Sequence, residues 1–111
     1  MADRKLYDRG YAVVTTVASA AAIEVNPTEN LEVYKIALGE DATLNIGATA
    51  KPVPGDEILV EVSSDATARD LTFGTGITGP VLAGVINKTK TQRFVYTGTG
   101  YVASAGPVQI D

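Results

Sequence analysis

The chain has 111 residues, a net charge of -4, and no cysteine, histidine or tryptophan. A chain of this size can bury roughly two-thirds of its unfolded surface, so a single core is feasible and a cleft between two domains is not. The missing residue types exclude disulfides, thiolate zinc sites and the commonest general base, and the acidic balance gives no footprint for nucleic acid.

The composition is 45% hydrophobic but only 6% aromatic. Its apolar content is mostly Val, Ile, Leu and Ala, and β-branched residues suit a pleated, half-buried surface. Eleven glycines and five prolines point to many tight turns.

In chain order, residues 1–10 are polar and charged and end at Gly10. They read as an arm. The run from Tyr11 to Ile23 is apolar and Ala-rich, but Val13-Val14-Thr15-Thr16-Val17 is β-branched and disfavours a helix. An extended segment is expected over 11–25. Arg4 and Lys5, the apolar run and Ala18-Ser19-Ala20 outline a secretion signal. Asp3, Asp8, Thr15 and Thr16 argue against one, and the run is short of the ~20 apolar residues a membrane span needs. The expected organisation is an N-terminal arm over 1–22 and one β domain over 23–111.

Asn26-Pro27 opens a turn. Leu31 to Leu38 then has a strand's composition, with Leu31, Val33, Lys35 and Ala37 on one face and Glu32, Tyr34, Ile36 and Leu38 on the other. Gly39-Glu40-Asp41 turns the chain into a short strand over 43–46. A Pro- and Gly-punctuated loop leads to Glu57-Ile58-Leu59-Val60-Glu61-Val62, whose central apolar run predicts a strand buried on both faces. Residues 71–73 start another strand, 74–84 read as irregular, and 85–88 read as the opening of a strand. Thr89 to Thr97 alternates, with Gln92, Phe94 and Tyr96 opposite Thr91, Arg93, Val95 and Thr97. Gly98-Thr99-Gly100 predicts a hairpin into a strand over 101–105, and residues 107–111 read as a tail. Short strands with frequent turns predict an all-β fold: a small antiparallel β-sandwich or barrel with an extended N-terminal arm.

Few motifs carry chemistry. Gly74-Thr75-Gly76-Ile77-Thr78-Gly79 spells G-x-G-x-x-G, but Pro80 follows and no helix pattern succeeds it, so a turn is expected. Glu40-Asp41 and Asp56-Glu57 could offer oxygen ligands to a cation if the fold joined them, yet solvated turn carboxylates are the simpler reading. Ser63 and Ser64 have no histidine to activate them. Asn87-Lys88-Thr89 fits the glycosylation pattern, which short sequences often match by chance. No enzyme, cofactor or metal is expected.

Charge is uneven. Residues 21–70 are dominated by Glu and Asp, whereas 86–100 carry only Lys88, Lys90 and Arg93. A basic strand on an acidic body could pair edge to edge with a second copy, or simply be a solvated face. The expected interface residues are Tyr7, Tyr11, Val13, Val14 and Val17 in the arm, and Lys88, Lys90, Arg93, Tyr96 and Tyr101 in the last strands.

The stretch from Gly55 to Ser104 resembles small β-modules of tailed-phage virion proteins. The resemblance rests on Gly55-Asp56-Glu57-Ile58-Leu59-Val60-Glu61-Val62, on Ser64-Asp65-Ala66-Thr67-Ala68-Arg69-Asp70-Leu71-Thr72-Phe73-Gly74, and on Arg93-Phe94-Val95-Tyr96-Thr97-Gly98-Thr99-Gly100-Tyr101-Val102. Tyr101 stands where those modules carry Trp after the turn. The resemblance covers about half the chain and implies a structural role on the virion's capsid surface. Such a capsid decoration (cement) protein would be a homotrimer bound to the major capsid protein, with no nucleic acid or membrane partner. A head-fibre or tail-fibre trimerisation module is the alternative, followed by a carbohydrate- or receptor-binding module with a shallow site at Tyr34, Tyr96 or Tyr101.

Overall fold

Period-two alternation and frequent corners build an all-β fold, and the computed structural model describes residues 13–111 of it. The strands are β1 (Val13–Val17), β2 (Ala22–Val25), β3 (Leu31–Leu38), β4 (Ala42–Ile46), β5 (Glu57–Ser64) and β6 (Asp70–Phe73). They are followed by β7 (Ile77–Thr78), β8 (Leu82–Ala83), β9 (Thr89–Tyr96), β10 (Tyr101–Ala103) and β11 (Val108–Gln109).

The chain shuttles between two sheets. One is ordered β1-β3-β5-β9-β10-β7, with β11 also on β9, and the other is β2-β4-β6-β8. Each return lays a strand parallel beside the one two earlier: β1 with β3, β3 with β5, β2 with β4, and β4 with β6. Parallel neighbours need a crossover, and here the crossover is a strand of the opposite sheet. The result is a flattened, solenoid-like coil. Its C-terminal end is closed by reversed strands, with β9 antiparallel to β5 and β8 antiparallel to β6.

Strand direction corrects the expected antiparallel sandwich or barrel. Gly39-Glu40-Asp41 does not fold β4 back onto β3; it carries the chain from one sheet to the other. The predicted Gly98 turn does form a hairpin, pairing Tyr96 with Tyr101. The run over 11–25 contains two strands, and the described part of the expected arm over 1–22 includes the edge strand β1. The irregular stretch 74–84 contains β7 and β8, the tail contains β11, and residues 85–88 form a turn instead of a strand.

The core lies between the sheets. Ile36, Leu44, Ile58, Val60, Leu71, Leu82, Phe94 and Tyr101 are at most 2% exposed. Phe73 meets Phe94 edge-on at 4.7 Å between ring centroids, a favoured aromatic geometry. The buried face of β3 is the one carrying Glu32. Its carboxylate accepts the N–H groups of Thr28 (2.7 Å) and Glu29 (2.8 Å) and the Tyr34 hydroxyl (2.6 Å). Those bonds replace the water that burial removes. Burial, and then the bond to Glu32, holds the Tyr34 phenol well above the ordinary tyrosine range.

Side chains also clamp one coil to the next. Asn26 Oδ1 accepts the Thr49 N–H and Asn45 Oδ1 accepts the Thr75 N–H. Asp41 Oδ1 accepts the Asp70 N–H, and Ser19 Oγ accepts the Gly39 N–H. Asn26 stands over Gly47 and Asn45 over Gly74, so a Cβ at either glycine would run into the stacked amide. These corners need glycine for close approach.

Candidate interaction surface

Two of the sequence motifs resolve into structure. Asp41 is spent on the Asp70 N–H, while Asp56 is buried and accepts the Val53 N–H at 2.8 Å. Glu40 follows the C-terminal end of β3 and Asp56 precedes the N-terminal end of β5, and these parallel strands are in register from Leu31↔Glu57 to Leu38↔Ser64. The two acidic pairs therefore lie at opposite ends of the sheet, roughly 25 Å apart at strand rise. Among the described residues no group of three acidic side chains is placed to hold a metal ion. The G-x-G-x-x-G stretch is the turn after β6 together with the two-residue β7 instead of the opening of a helix, so it lacks the dipole that would face a pyrophosphate.

Among the described residues the expected interface residues do not form one patch, and only Val14 and Arg93 share a row. Tyr7 and Tyr11 lie outside the described residues. Val13 and Val14 are exposed on β1, and Val17 is half-buried against the core. Lys88 sits in the turn before β9, Lys90 is half-buried on the strand, and Arg93 points from the opposite face. The strand they share is internal, flanked by β5 on one side and by β10 and β11 on the other. An edge-to-edge basic contact through it is therefore ruled out, because its backbone groups are already paired. Tyr96 is half-buried, its hydroxyl donates to Gly98 O, and its ring tilts against Tyr101 at 5.2 Å. Tyr101 is corrected from interface to core at 1% exposure. Burial and the carboxylates of Asp56 and Glu32 push its phenol up to about 12, and its hydroxyl has no partner among the described residues.

The residues that do converge include two of the expected ones, Val14 and Arg93; the others were not singled out by sequence reasoning. They form the outer face of the larger sheet. Register places Val14 beside Val33, Val33 beside Leu59, and Leu59 beside Arg93, a row crossing four strands. A second row joins Glu57, Val95 and Val102. A third runs Thr16, Lys35, Glu61, Thr91 and Val108. Val14, Val102, Val108 and Ile110 are exposed. Two ion pairs punctuate this apolar field: Lys35–Glu61 at 3.6 Å, and Arg93–Glu57 at 2.6 Å. Exposed pairs contribute about 0–1 kcal/mol each, so their larger effect is on orientation and partner choice.

A local irregularity shapes the face. Between the pairs Ala103↔Phe94 and Val108↔Thr91, residues 104–107 oppose only 92–93. The surplus bulges outward. From inside, Gln92 Nε2 supports the bulge by donating to Ala105 O at 2.6 Å. Outside, the bulge and β11 wall an apolar groove of about 320 Å³ against Leu59, Thr91 and Arg93. The face mixes apolar rows with charged and hydroxyl side chains around an open groove, an arrangement suited to another protein's surface and unsuited to enclosing a small molecule. No protein family and no curated protein matches the chain.

Proposed function

We propose that this chain is a structural protein of a tailed-phage virion: a capsid decoration protein that seats the outer face of its larger sheet on the major capsid protein. The observation that carries the proposal is that face, with apolar rows from Val14 to Leu59 and from Val95 to Val102 beside the groove at Val108. A sheet face with exposed apolar side chains interspersed with ion pairs suits protein docking. The resemblance of residues 55–104 to virion β-modules supplies the capsid as the partner. The activity is mechanical: each bound copy adds contacts across a capsomer junction.

A fibre module is the second reading, favoured by the parallel coil in which, among the described residues, no strand covers β1 and β2. The glycan-binding alternative keeps only the half-buried Tyr96 of its three aromatics near the surface, because Tyr34 and Tyr101 are buried. Copy number per particle separates the first two readings. Quantitative gel analysis of purified virions is expected to give one copy for each of many capsomer sites. A handful of copies per particle would replace decoration with a fibre.

A further inference from the structure

The two ends of the coil are finished differently. At the C-terminal end, antiparallel β9 and β8 cover β5 and β6. At the N-terminal end β1 and β2 are edges, and among the described residues no strand pairs with their outer sides. Alternate residues of an edge strand present N–H and C=O groups that call for partners, and coil architectures need a cap at each end.

The edges are not equivalent. β7, β8 and β11 have two residues each, and β2 carries an exposed Glu24 at its centre. The five-residue β1, Val13-Val14-Thr15-Thr16-Val17, is the longest edge strand among the described residues. It has neither charge nor proline, two of the devices that normally blunt an edge. Across the sheet, Glu32 beside Val13 is buried and held by three donors, and on the outer face Lys35 is paired with Glu61. In a chain of net charge -4, β1 is therefore a strand along which two copies meet without opposing like charges.

We propose that β1 is a self-pairing edge: two copies join β1 to β1, antiparallel, about a twofold axis through Thr15, so that the larger sheet runs on from one copy into the other. The short strand is self-complementary in that register. Thr15 faces Thr15 of the second copy, Val14 faces Thr16, and Val13 faces Val17. Direct Thr–Thr and β-branched pairs are favourable across antiparallel strands. Val13, Thr15 and Val17 share the inner face with Glu32, Tyr34 and Ile36, their partners on β3, so pairing extends the core layer. The contact is isologous and closes at two copies, and the capped far end offers no matching edge for a filament. This twofold assembly takes the place of the threefold one that the resemblance implied, and it does not depend on the capsid role.

The test uses the absence of native cysteine. Light scattering on the full chain is expected to give twice 11.5 kDa. Under oxidised glutathione, Thr15→Cys is expected to form a disulfide-linked dimer in near-complete yield. Val13→Cys and Val17→Cys are expected to link poorly alone and well when mixed with each other. Val14→Lys, at an exposed position, is expected to shift the chain to monomer with its far-ultraviolet circular dichroism unchanged. A monomer or a trimer by mass overturns the proposal. So does a dimer in which Thr15→Cys links no faster than Thr16→Cys, including the case where residues 1–12 of the same chain cover β1.

Discussion

Replacing Tyr34 by Phe isolates one bond in the buried cluster that lets Glu32 face the core. The hydroxyl donates to Glu32 Oε1 at 2.6 Å, and the two residues are 4% and 6% exposed. Tyr34→Phe removes a bond to a charged acceptor and leaves that oxygen short of a partner, which costs about 2 kcal/mol. Glu32→Leu removes three accepted bonds. The Thr28 and Glu29 N–H groups belong to exposed residues and recover water, while the buried Tyr34 hydroxyl does not, so the cost is about 3 kcal/mol. In the double variant no orphaned hydroxyl remains, and the loss should fall about 1–2 kcal/mol short of the sum. At about 4 °C per kcal/mol for a domain of this size, Tyr34→Phe lowers Tm by about 8 °C and Glu32→Leu by about 12 °C. Urea unfolding followed by circular dichroism measures all three. Additive losses, or a Tyr34→Phe loss below about 0.5 kcal/mol, would refute the view that this bond is what makes Glu32 tolerable inside.

Gly74→Ala drives a Cβ into the Asn45 side chain that holds the Thr75 N–H; a loss of about 1–3 kcal/mol is expected, and equilibrium unfolding reads it. Phe94→Ala, at 0% exposure and against Phe73, should cost about 3–5 kcal/mol, whereas Val14→Ala, 60% exposed, should stay within about 0.5 kcal/mol. The Tyr101 phenol is pushed up to about 12 by burial, so between its unfolded value near 10 and that limit the folded chain keeps a proton that the unfolded chain releases. Stability should therefore be intact below about pH 10 and fall above it, by up to about 1.4 kcal/mol per pH unit for this group. Tyr101→Phe should flatten that decline in a pH series of urea midpoints, and an unchanged slope would contradict the burial argument.

Strands were legible wherever alternation ran long enough, as at 31–38, 57–62 and 89–97, because side-chain period reports local geometry directly. Strand direction was not. Gly39-Glu40-Asp41 has the chemistry of a reverse turn, and the same residues serve equally well at a corner between sheets. Only contacts distant in sequence, such as the Asp41 carboxylate on the Asp70 N–H, distinguish the two. The face of β3 was divisible from sequence, but polarity favours Glu32 outside, and its three donors come from a turn and a neighbour that align only after folding. The interaction face was hidden for a related reason. Val14, Val33 and Leu59 come from three coils, and their row exists only through parallel register. Lys88, Lys90 and Arg93, adjacent in sequence, were drawn apart by the pleat that sends alternate side chains to opposite faces.

The most direct test is sedimentation of phage capsids with the full chain and with a Val102→Asp/Val108→Asp variant. Both positions are exposed, so folding should be retained and circular dichroism should show it. The account predicts that the native sequence pellets with capsids and that the variant remains in the supernatant. A native chain that stays in solution, or a variant that pellets equally well, would contradict the claim that this face docks on a capsid.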